Sequence, residues 1–299
     1  MEDAQLFHEL KGVAGIVQDG NVQVFSNEVS DECFDLFEIG SLTKTFTAAL
    51  VQQEIDNSEI SLNDRIDCFF NLPKIRIYPT IGELLTHHAG YKKDYFEIIP
   101  IVRCILGLDK SIVFPRWTIM KRIFLTGPGK KQYCYSNFGY AVLGLVLENI
   151  HSQSYPVILN EYLAKNGLLN TGINISDAPG FWRWSKRDAF TAAGGITSCL
   201  NDMLRYVKIL MEDKSPNSEL LLLKKTLDVS EENCVGLGMS WKIRSDSTAF
   251  HTGCTGRFNS YVSINTTTRT GIIVLLNSPY DKVFSAKDIG NSIETMNNR

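Results

Sequence analysis

Residues 38–50 of the chain read Glu38-Ile39-Gly40-Ser41-Leu42-Thr43-Lys44-Thr45-Phe46-Thr47-Ala48-Ala49-Leu50. Apolar residues recur here at helical spacing after the turn-permissive Gly40, which predicts a helix that begins at or near Ser41 and runs to about Ile55. Side chains three positions apart are neighbours on a helix, so the amine of Lys44 can approach the hydroxyl of Ser41. Ser-x-x-Lys is therefore a candidate nucleophile with its base attached, although the pattern alone usually indicates an N-cap and a solvated lysine.

Length and composition are those of an ordinary globular protein. The 299 residues are 44% hydrophobic and 21% charged, with a formal net charge of -3 at pH 7. This length predicts one large domain or two closely packed lobes. The charge balance provides no basic surface for nucleic acid or for an anionic membrane, so we expect neither as a partner.

The N-terminal segment and the cysteines bear on the compartment. The first ten residues are acidic and lack the pattern of a secretion signal, and no apolar run reaches transmembrane length. As the sequence stands we expect a cytoplasmic protein, or an extracytoplasmic one if a leader has been removed. The seven cysteines include no C-x-x-C pair and no metal-ligand spacing, so we expect no metal and no cofactor. Most of these thiols are expected to be small buried residues.

Strand patterns lie at both ends of the chain and helical patterns lie between them. The N-terminal part predicts a hairpin, residues 11–17 and 22–25 around a tight turn. Later strands are predicted at residues 238–243, 248–251, 258–265 and 271–277, before an amphipathic helix over 283–296. Short apolar segments of helical length occupy residues 62–70, 81–86, 98–106, 120–124 and 138–150, and a further helix starts at 198–202.

This order predicts an α+β fold. We expect one antiparallel sheet, formed by both termini and flanked by helices, with a helical lobe inserted between them. The prediction is a single domain, residues 1–299, with a sheet lobe of about residues 1–60 and 191–299 and a helical lobe of about residues 61–190. Residues 138–147 are apolar nearly all round, which indicates a buried helix in the middle of the helical lobe.

A second candidate for chemistry is Tyr135-Ser136-Asn137, just before the buried helix. A phenol and a carboxamide two residues apart can supply a proton shuttle and a hydrogen-bond donor to a carbonyl group. Taken alone, the same residues fit a tyrosine at the edge of the core and an asparagine that caps the helix.

A third candidate is His251-Thr252-Gly253-Cys254-Thr255-Gly256, between two predicted strands. Glycine in a strand edge lets a substrate approach the backbone, whose N–H groups can then bind a developing oxyanion. Taken alone, this segment also fits a hairpin loop with one exposed histidine.

The order of the three motifs resembles the signatures of the penicillin-recognising serine hydrolases, whose class A members carry Ser-x-x-Lys, Ser-Asp-Asn and Lys-Thr-Gly. Tyr-x-Asn is instead similar to the motif of class C β-lactamases, D-Ala-D-Ala carboxypeptidases of that branch, and related esterases and D-amino peptidases. The resemblance runs from about residue 11 to residue 277. Its further blocks are residues 84–90, 128–137, 193–198 and 251–258.

The resemblance implies a β-lactamase/transpeptidase-like fold and a role for each motif. Ser41 matches the acylated nucleophile, Lys44 the residue that eases removal of its proton, and Tyr135 the residue that relays a proton to the leaving group. Asn137 matches the residue that holds the amide side chain of the substrate. The backbone N–H groups of Ser41 and Cys254 match the oxyanion hole.

Position 251 departs from the pattern, because most β-lactamases and carboxypeptidases of this family have lysine there. Histidine is neutral for much of the time near pH 7, which argues against efficient β-lactam hydrolysis. It instead favours a similarity to the esterases and D-amino peptidases of the family. Thr252 and Gly253 complete the substrate-binding strand. Arg257 is close enough in sequence to be a candidate for the missing cation.

The resemblance implies a hydrolase that forms an acyl-enzyme at Ser41 on peptide, amide or ester substrates, of penicillin-binding, carboxypeptidase or esterase type. The partner is then a small-molecule or short-peptide substrate. The alternative is a catalytically weak penicillin-binding-type sensor or scaffold, which is acylated but does not turn over. His87 and His88 favour a structural role, whereas Trp182 and Trp184 fit a pocket lining or aromatic packing equally well.

Overall fold

The two ends of the chain pair with each other in one antiparallel sheet. The computed structural model describes residues 12–26, 35–95, 113–126, 129–212, 220–222, 224–226, 234–278 and 285–297. Its strands are β1 Gly12–Gln18, β2 Asn21–Ser26, β3 Phe37–Glu38, β4 Gly172–Ile173, β5 Ile196–Ser198, β6 Lys225–Thr226, β7 Cys234–Leu237, β8 Lys242–Arg244, β9 Ala249–Cys254, β10 Asn259–Asn265 and β11 Thr270–Leu276. Eight strands follow the order β2-β1-β11-β10-β9-β8-β7-β6, and β3-β5-β4 form a second, small sheet.

Helices cover the large sheet and fill the middle of the chain. They are α1 Thr43–Asp56, α2 Ile81–Leu85, α3 Arg116–Leu125, α4 Asn137–His151, α5 Tyr155–Lys165, α6 Thr191–Gly194, α7 Leu200–Met211 and α8 Ala286–Asn297. This architecture confirms the predicted α+β fold with a sheet built from both termini. The division into two lobes with the stated boundaries stays a prediction.

Alternation along the strands explains how the sheet is covered on both faces. In β11, Ile272 and Val274 join a buried cluster with Ile289 of α8, whereas Ile273 and Leu275 belong to the main core. Successive side chains of a strand point to opposite faces, so one strand serves two hydrophobic cores. The pairing of β1 with β11, from Gly12 opposite Leu276 to Gln18 opposite Thr270, keeps this alternation in register.

The predicted N-terminal hairpin and buried helix are both confirmed. Asp19 and Gly20 connect β1 and β2 with φ angles of 46° and 84°, the left-handed conformations of a two-residue hairpin turn. All residues of α4 from Phe138 to Leu147 are buried. Its Gly144 packs so closely on α6 that a Cβ there would lie 2.6 Å from that of Ala192. Glycine is therefore required where these two helices meet.

Two predicted elements are wrong, and one lies outside the described residues. The strand predicted at 238–243 is a turn in its first half, where Ser240 has a φ of 79° and the N–H of Gly238 donates to the carbonyl of Trp241. Residues 62–70 form one short 3-10 turn, Ile66–Cys68, because their backbone bonds instead to residues 79–82. The helical segment predicted at 98–106 lies outside the described residues.

Candidate active site

Ser41 lies in a tight 3-10 turn, Gly40–Leu42, immediately before α1. Gly40 has a φ of 50°, and a Cβ at this position would lie 2.7 Å from both the backbone N and the O of Cys254. Only glycine fits a left-handed conformation with such a close neighbour. The turn therefore places the nucleophile candidate against the end of β9. The helix itself begins at Thr43, close to the predicted start at Ser41.

Lys44 lies beneath Ser41 in the first turn of α1 and is fully buried. Its Nζ donates to Ser41 Oγ at 3.0 Å and to the carbonyl oxygen of Ala193 at 2.6 Å. Burial removes water from the ammonium and lowers the pKa of Lys44 to about 7, while Asp94 raises that pKa and Lys93 lowers it further. A substantial fraction of the amine is thus neutral at physiological pH and able to accept a proton.

Tyr135 reaches the same oxygen from the loop before α4. Its hydroxyl donates to Ser41 Oγ at 2.8 Å, and the Nζ of Lys44 lies 5.0 Å from the centre of its ring. Burial raises the pKa of Tyr135 above its usual value, an effect that the hydrogen bond to Ser41 opposes. The group therefore stays a phenol near neutral pH and is a proton donor at rest.

Asn137 begins α4 and borders the same space. Its Nδ2 donates to Asp94 Oδ1 at 3.0 Å. The preceding Ser136 caps the helix, because its Oγ accepts from the N–H of Gly139 at 3.0 Å and donates to the carbonyl of Lys92 at 2.7 Å. These bonds tie the start of α4 to the loop at residues 92–94, which fixes the carboxamide near Ser41.

The segment His251-Thr252-Gly253-Cys254 forms the second half of β9 and runs past Ser41. Gly253 is in close contact with the 3-10 turn, because a Cβ there would lie 2.0 Å from the carbonyl oxygen of Ile39. Ser260 of the neighbouring strand donates to the same carbonyl at 2.9 Å. Burial, followed by the charge of Lys44, lowers the pKa of His251 to about 3, so its imidazole is neutral.

Two cavities open at Ser41, and Asn137 and Cys254 border both of them. The first, of about 890 Å³, is lined by Tyr135 and His251 and by three lysines: Lys93, Lys242 and Lys287. The second, of about 430 Å³, is lined by aromatic side chains: Phe181, Trp182, Trp184 and Phe190. Of the two interpretations of Trp182 and Trp184, the structure favours the pocket lining.

The structure does not bring Arg257 to His251. Its Nε donates to Asn277 Oδ1 and its Nη1 to the carbonyl of Pro179, both at 2.8 Å, and the side chain borders the second, aromatic cavity. His251 borders the first cavity. The guanidinium is thus held at the second cavity, whereas the position where lysine is expected borders the first.

His87 has a structural part in the site. Its φ is 58°, and its Nδ1 accepts from the backbone N–H of Ser136 at 3.0 Å. Its ring centre lies 4.6 Å from that of Tyr135. Burial lowers the pKa of His87 well below its usual value, so it is a neutral acceptor that holds the Tyr135 loop. His88 bonds to the carbonyl of Thr86 at 2.6 Å and is also buried.

Sequence reasoning missed several groups that the structure brings to Ser41. Residues 193–198 form a block similar to one in the family, but nothing in the pattern indicated that the Ala193 carbonyl would accept from Lys44. Lys93 and Asp94 lie in a stretch without a readable pattern. Lys242 lies in the second half of the strand predicted at 238–243, but no local pattern indicated that it would border the same cavity as Ser41.

The cysteines differ from the expectation. Of the five in described segments, Cys199 and Cys234 are buried, whereas Cys68, Cys134 and Cys254 are exposed. The prediction that most are buried is wrong for this part of the chain. Cys134 and Cys254 both border the first cavity.

The described ranges contain no helix that is both long and apolar enough to cross a membrane. Across the same residues, no group of three or more histidine, cysteine or acidic side chains is arranged to hold a metal ion.

An antiparallel sheet covered by helices, with serine, lysine and tyrosine converging on one oxygen, defines a serine hydrolase type of site. The chain belongs to the Beta-lactamase family, whose family model matches residues 4–295.

Curated relatives are distant. Protein flp of Staphylococcus aureus strain N315 is 23% identical over 278 residues, which cover 82% of this chain and 53% of that protein. The putative fimbrial assembly protein FimD, serogroup D, of Dichelobacter nodosus is 28% identical over 177 residues, or 57% of this chain and 42% of that protein. The chain therefore spans about half the length of the curated relatives it matches.

Solved structures are similar over the whole chain. The β-lactamase/D-alanine carboxypeptidase of Yersinia pestis has a TM-score of 0.77 at 16% identity, covering 99% of this chain and 95% of that one. The corresponding protein of Pseudomonas syringae has a TM-score of 0.78 at 19% identity, covering 99% and 97%. A mutant class C β-lactamase has a TM-score of 0.79 at 15% identity, covering 99% and 97%. These likenesses establish the β-lactamase/transpeptidase fold.

Proposed function

We propose that the protein is a serine hydrolase of penicillin-binding, carboxypeptidase or esterase type. It forms an acyl-enzyme at Ser41 and cleaves peptide, amide or ester substrates. One observation carries the proposal: Ser41 Oγ lies 3.0 Å from Lys44 Nζ and 2.8 Å from the hydroxyl of Tyr135. Base and acid are thus each within hydrogen-bond reach of the nucleophile, which is the arrangement that covalent acyl transfer requires.

Acylation begins with the neutral amine of Lys44. When Nζ carries a lone pair, the 3.0 Å contact lets the Ser41 hydroxyl donate its proton to Lys44 as Oγ attacks the substrate carbonyl carbon. The carbonyl oxygen becomes an oxyanion, which the N–H groups of Ser41 and Cys254 stabilise. Each such donor contributes a rate factor of roughly a hundred to a thousand.

Collapse of the tetrahedral intermediate expels an amine or an alcohol. That leaving group needs a proton, which comes from the phenol of Tyr135 or from the ammonium of Lys44. Water then attacks the ester formed at Ser41 and releases the carboxylic acid product. Because Tyr135 remains protonated near neutral pH, it is ready to donate in the first of these steps.

The exposed edge of β9 fits an extended substrate. In the described part of the sheet, β8 pairs with β9 at Ala249 and Phe250, before the segment at residues 251–254 begins. A substrate backbone can therefore add along Thr252 to Cys254 as an extra strand. This position brings its carbonyl to Ser41, with Asn137 on the opposite side to bind an amide group.

Position 251 bears on the substrate class. A neutral histidine offers no permanent charge to the carboxylate that penicillins and peptide C-termini carry. This supports esters, and peptides without a free carboxylate next to the scissile bond, over β-lactams as the compounds for which the site is adapted. The similar structures of Yersinia pestis and Pseudomonas syringae are named β-lactamase/D-alanine carboxypeptidase, which supports acyl-transfer chemistry at the level of fold and does not separate peptides from β-lactams.

A panel of substrates tests the proposal. Purified protein is incubated with p-nitrophenyl esters, a D-Ala-D-Ala peptide and a fluorescent penicillin, beside Ser41→Ala and the control Ser292→Ala in α8. We expect turnover of at least one substrate, lost in Ser41→Ala and kept in Ser292→Ala. Turnover that persists in Ser41→Ala contradicts the proposal, and stable labelling without turnover favours the binding-protein alternative.

A further inference from the structure

A cavity separate from the Ser41 site lies between α3, α4 and residues 186–189, and we call it the α3–α4 cavity. Its volume is about 550 Å³, which is within the range of small-molecule sites. None of the described residues that line it borders either cavity at Ser41. A ligand bound here therefore does not compete with the substrate for space.

Two helices provide the apolar walls of the α3–α4 cavity. Trp117 and Met120 line it from α3, where residues three positions apart lie on one face, and Leu145 lines it from α4. Arg116 Nη2 donates to Asn149 Oδ1 at 3.0 Å and so connects the two helices. The indole of Trp117 is 50% exposed, so a large part of its surface is open to an apolar ligand.

The charged groups at this cavity favour an anion. Lys186 and Arg187 line it and are exposed, and no side chain in the described ranges pairs with Lys186. Both acidic residues of the lining already have partners. Glu148 lies 3.7 Å from Arg116, and Asp188 Oδ1 accepts from a backbone N–H at 3.0 Å. The charge left for a ligand is therefore the ammonium of Lys186.

The wall of the α3–α4 cavity continues into the aromatic second cavity. The N–H of Ala189, which lines the α3–α4 cavity, donates to the carbonyl of Phe114 at 2.9 Å. The next residue, Phe190, lines the second cavity, and its ring centre lies 5.1 Å from that of Phe114. A single short segment thus borders a cavity on each side.

The same segment leads directly to the carbonyl that anchors Lys44. The hydroxyl of Thr191, the first residue of α6, donates to the carbonyl of Asp188. Two residues further on, the carbonyl of Ala193 accepts from Lys44 Nζ at 2.6 Å. A ligand that contacts residues 186–189 therefore contacts the chain that positions the base of the Ser41 site.

We propose that the α3–α4 cavity is a regulatory site for a small amphipathic anion. The apolar body of this ligand lies against Trp117 and Met120, and its acidic group pairs with Lys186. Its binding changes turnover through residues 188–193 while both substrate cavities stay open. The effect on turnover rests on the proposed function, whereas the binding itself is independent of it.

Naphthalene-2-sulfonate and naphthalene-2-sulfonamide test the assignment, because they share one apolar body and differ in charge. Isothermal titration calorimetry of the full chain measures Kd for each probe, and we expect the sulfonate to bind more tightly. In Trp117→Ala both probes should weaken about tenfold, since an apolar wall is lost. In Lys186→Glu the sulfonate should weaken about tenfold and the sulfonamide should bind as before, because only the charge pair changes.

Two control variants place the probe in one cavity. Lys287→Met removes a lysine of the first cavity, and Trp182→Ala removes an aromatic ring of the second. Both should bind the sulfonate with the Kd of the wild type. The assignment is overturned if either control weakens binding as much as Lys186→Glu does. It is also overturned if Kd is unchanged in both Trp117→Ala and Lys186→Glu.

Steady-state kinetics with the best ester of the panel tests the effect on turnover. Saturating sulfonate should change kcat at least twofold in the wild type and have no effect in Trp117→Ala. An unchanged rate, or inhibition that raises only KM, would overturn the regulatory role. Ser41→Ala should bind the sulfonate with the Kd of the wild type. If this variant still hydrolyses the ester at the wild-type rate, the proposed function fails, and the calorimetry decides the binding site separately.

Discussion

Lys44 Nζ donates a 2.6 Å hydrogen bond to the carbonyl oxygen of Ala193, which is 149 positions away in the sequence. A second bond joins the same elements, because Thr47 Oγ1 donates to the carbonyl of Ala192 at 2.6 Å. Two backbone carbonyls of α6 thus anchor the first turns of α1. The carbonyl of Ala193 accepts from the amine in either charge state and holds its lone pair toward Ser41.

The pKa of Lys44 sets the pH dependence of acylation. The amine acts as a base only when deprotonated, so kcat/KM should rise with pH through about 7 and then level off. Asp94 raises this pKa and Lys93 lowers it. We therefore expect Asp94→Asn to move the midpoint to lower pH and Lys93→Met to move it to higher pH. Both variants moving it in the same direction would contradict the assignment of Lys44 as the base.

Burial of Lys44 also links stability to pH. Its pKa is 10.5 in the unfolded reference and about 7 in the fold, so between these values the unfolded state binds more protons. Stability should therefore rise with pH across this window, and the penalty is greatest below pH 7. Relative to Lys44→Met, wild type should gain roughly 3 kcal/mol between pH 7 and pH 10, measured by urea unfolding. If the stability difference between wild type and Lys44→Met does not change with pH, the lowered pKa of Lys44 is wrong.

Tyr135→Phe removes one hydroxyl and leaves the ring between Lys44 and His87. The variant loses the hydrogen bond to Ser41 Oγ and the proton donor for the leaving group, so kcat should fall by a factor of about 100 or more. The thermal midpoint should change little. Steady-state kinetics with the best ester of the panel measures the effect, and a loss below threefold would show that Lys44 alone transfers the protons.

Gly40→Ala tests the contact between the Ser41 turn and β9. The new Cβ would lie 2.7 Å from the backbone of Cys254 and would require a left-handed φ of 50°. We expect destabilisation of about 1–3 kcal/mol and a large loss of activity, because the N–H of Cys254 moves away from Ser41. The control is Gly256→Ala, whose Cβ meets no atom within 4 Å. Equal effects in both variants would argue against a built oxyanion site.

The local sequence pattern was sufficient to predict those elements whose apolar residues recur at strand or helix spacing. The hairpin of β1 and β2, the buried α4 and the amphipathic α7 and α8 follow from alternation, helical spacing and turn residues. The turn at Ser240 was missed because Trp241 and Met239 are buried apolar residues that read as strand, although a tight turn places them in the core.

The site was predictable only in part, for a physical reason. The spacing of Ser41 and Lys44 is local, so the helix itself determines their contact. Tyr135 and His251 were placed by resemblance, since no local rule brings residues from three distant segments together. The carbonyl of Ala193, the charge of Asp94 and the position of Lys242 depend on tertiary packing, and the sequence pattern gave no sign of them.

Intact-mass spectrometry of the protein during turnover tests the central claim most directly. After incubation with an activated ester or a penicillin and rapid acid quench, we expect one acyl adduct on the wild type, which peptide mapping places on Ser41. Ser41→Ala should carry no adduct, and Ser292→Ala should carry it in full. An adduct that survives in Ser41→Ala, or that maps to Cys254 in the wild type, would contradict an acyl-enzyme at Ser41.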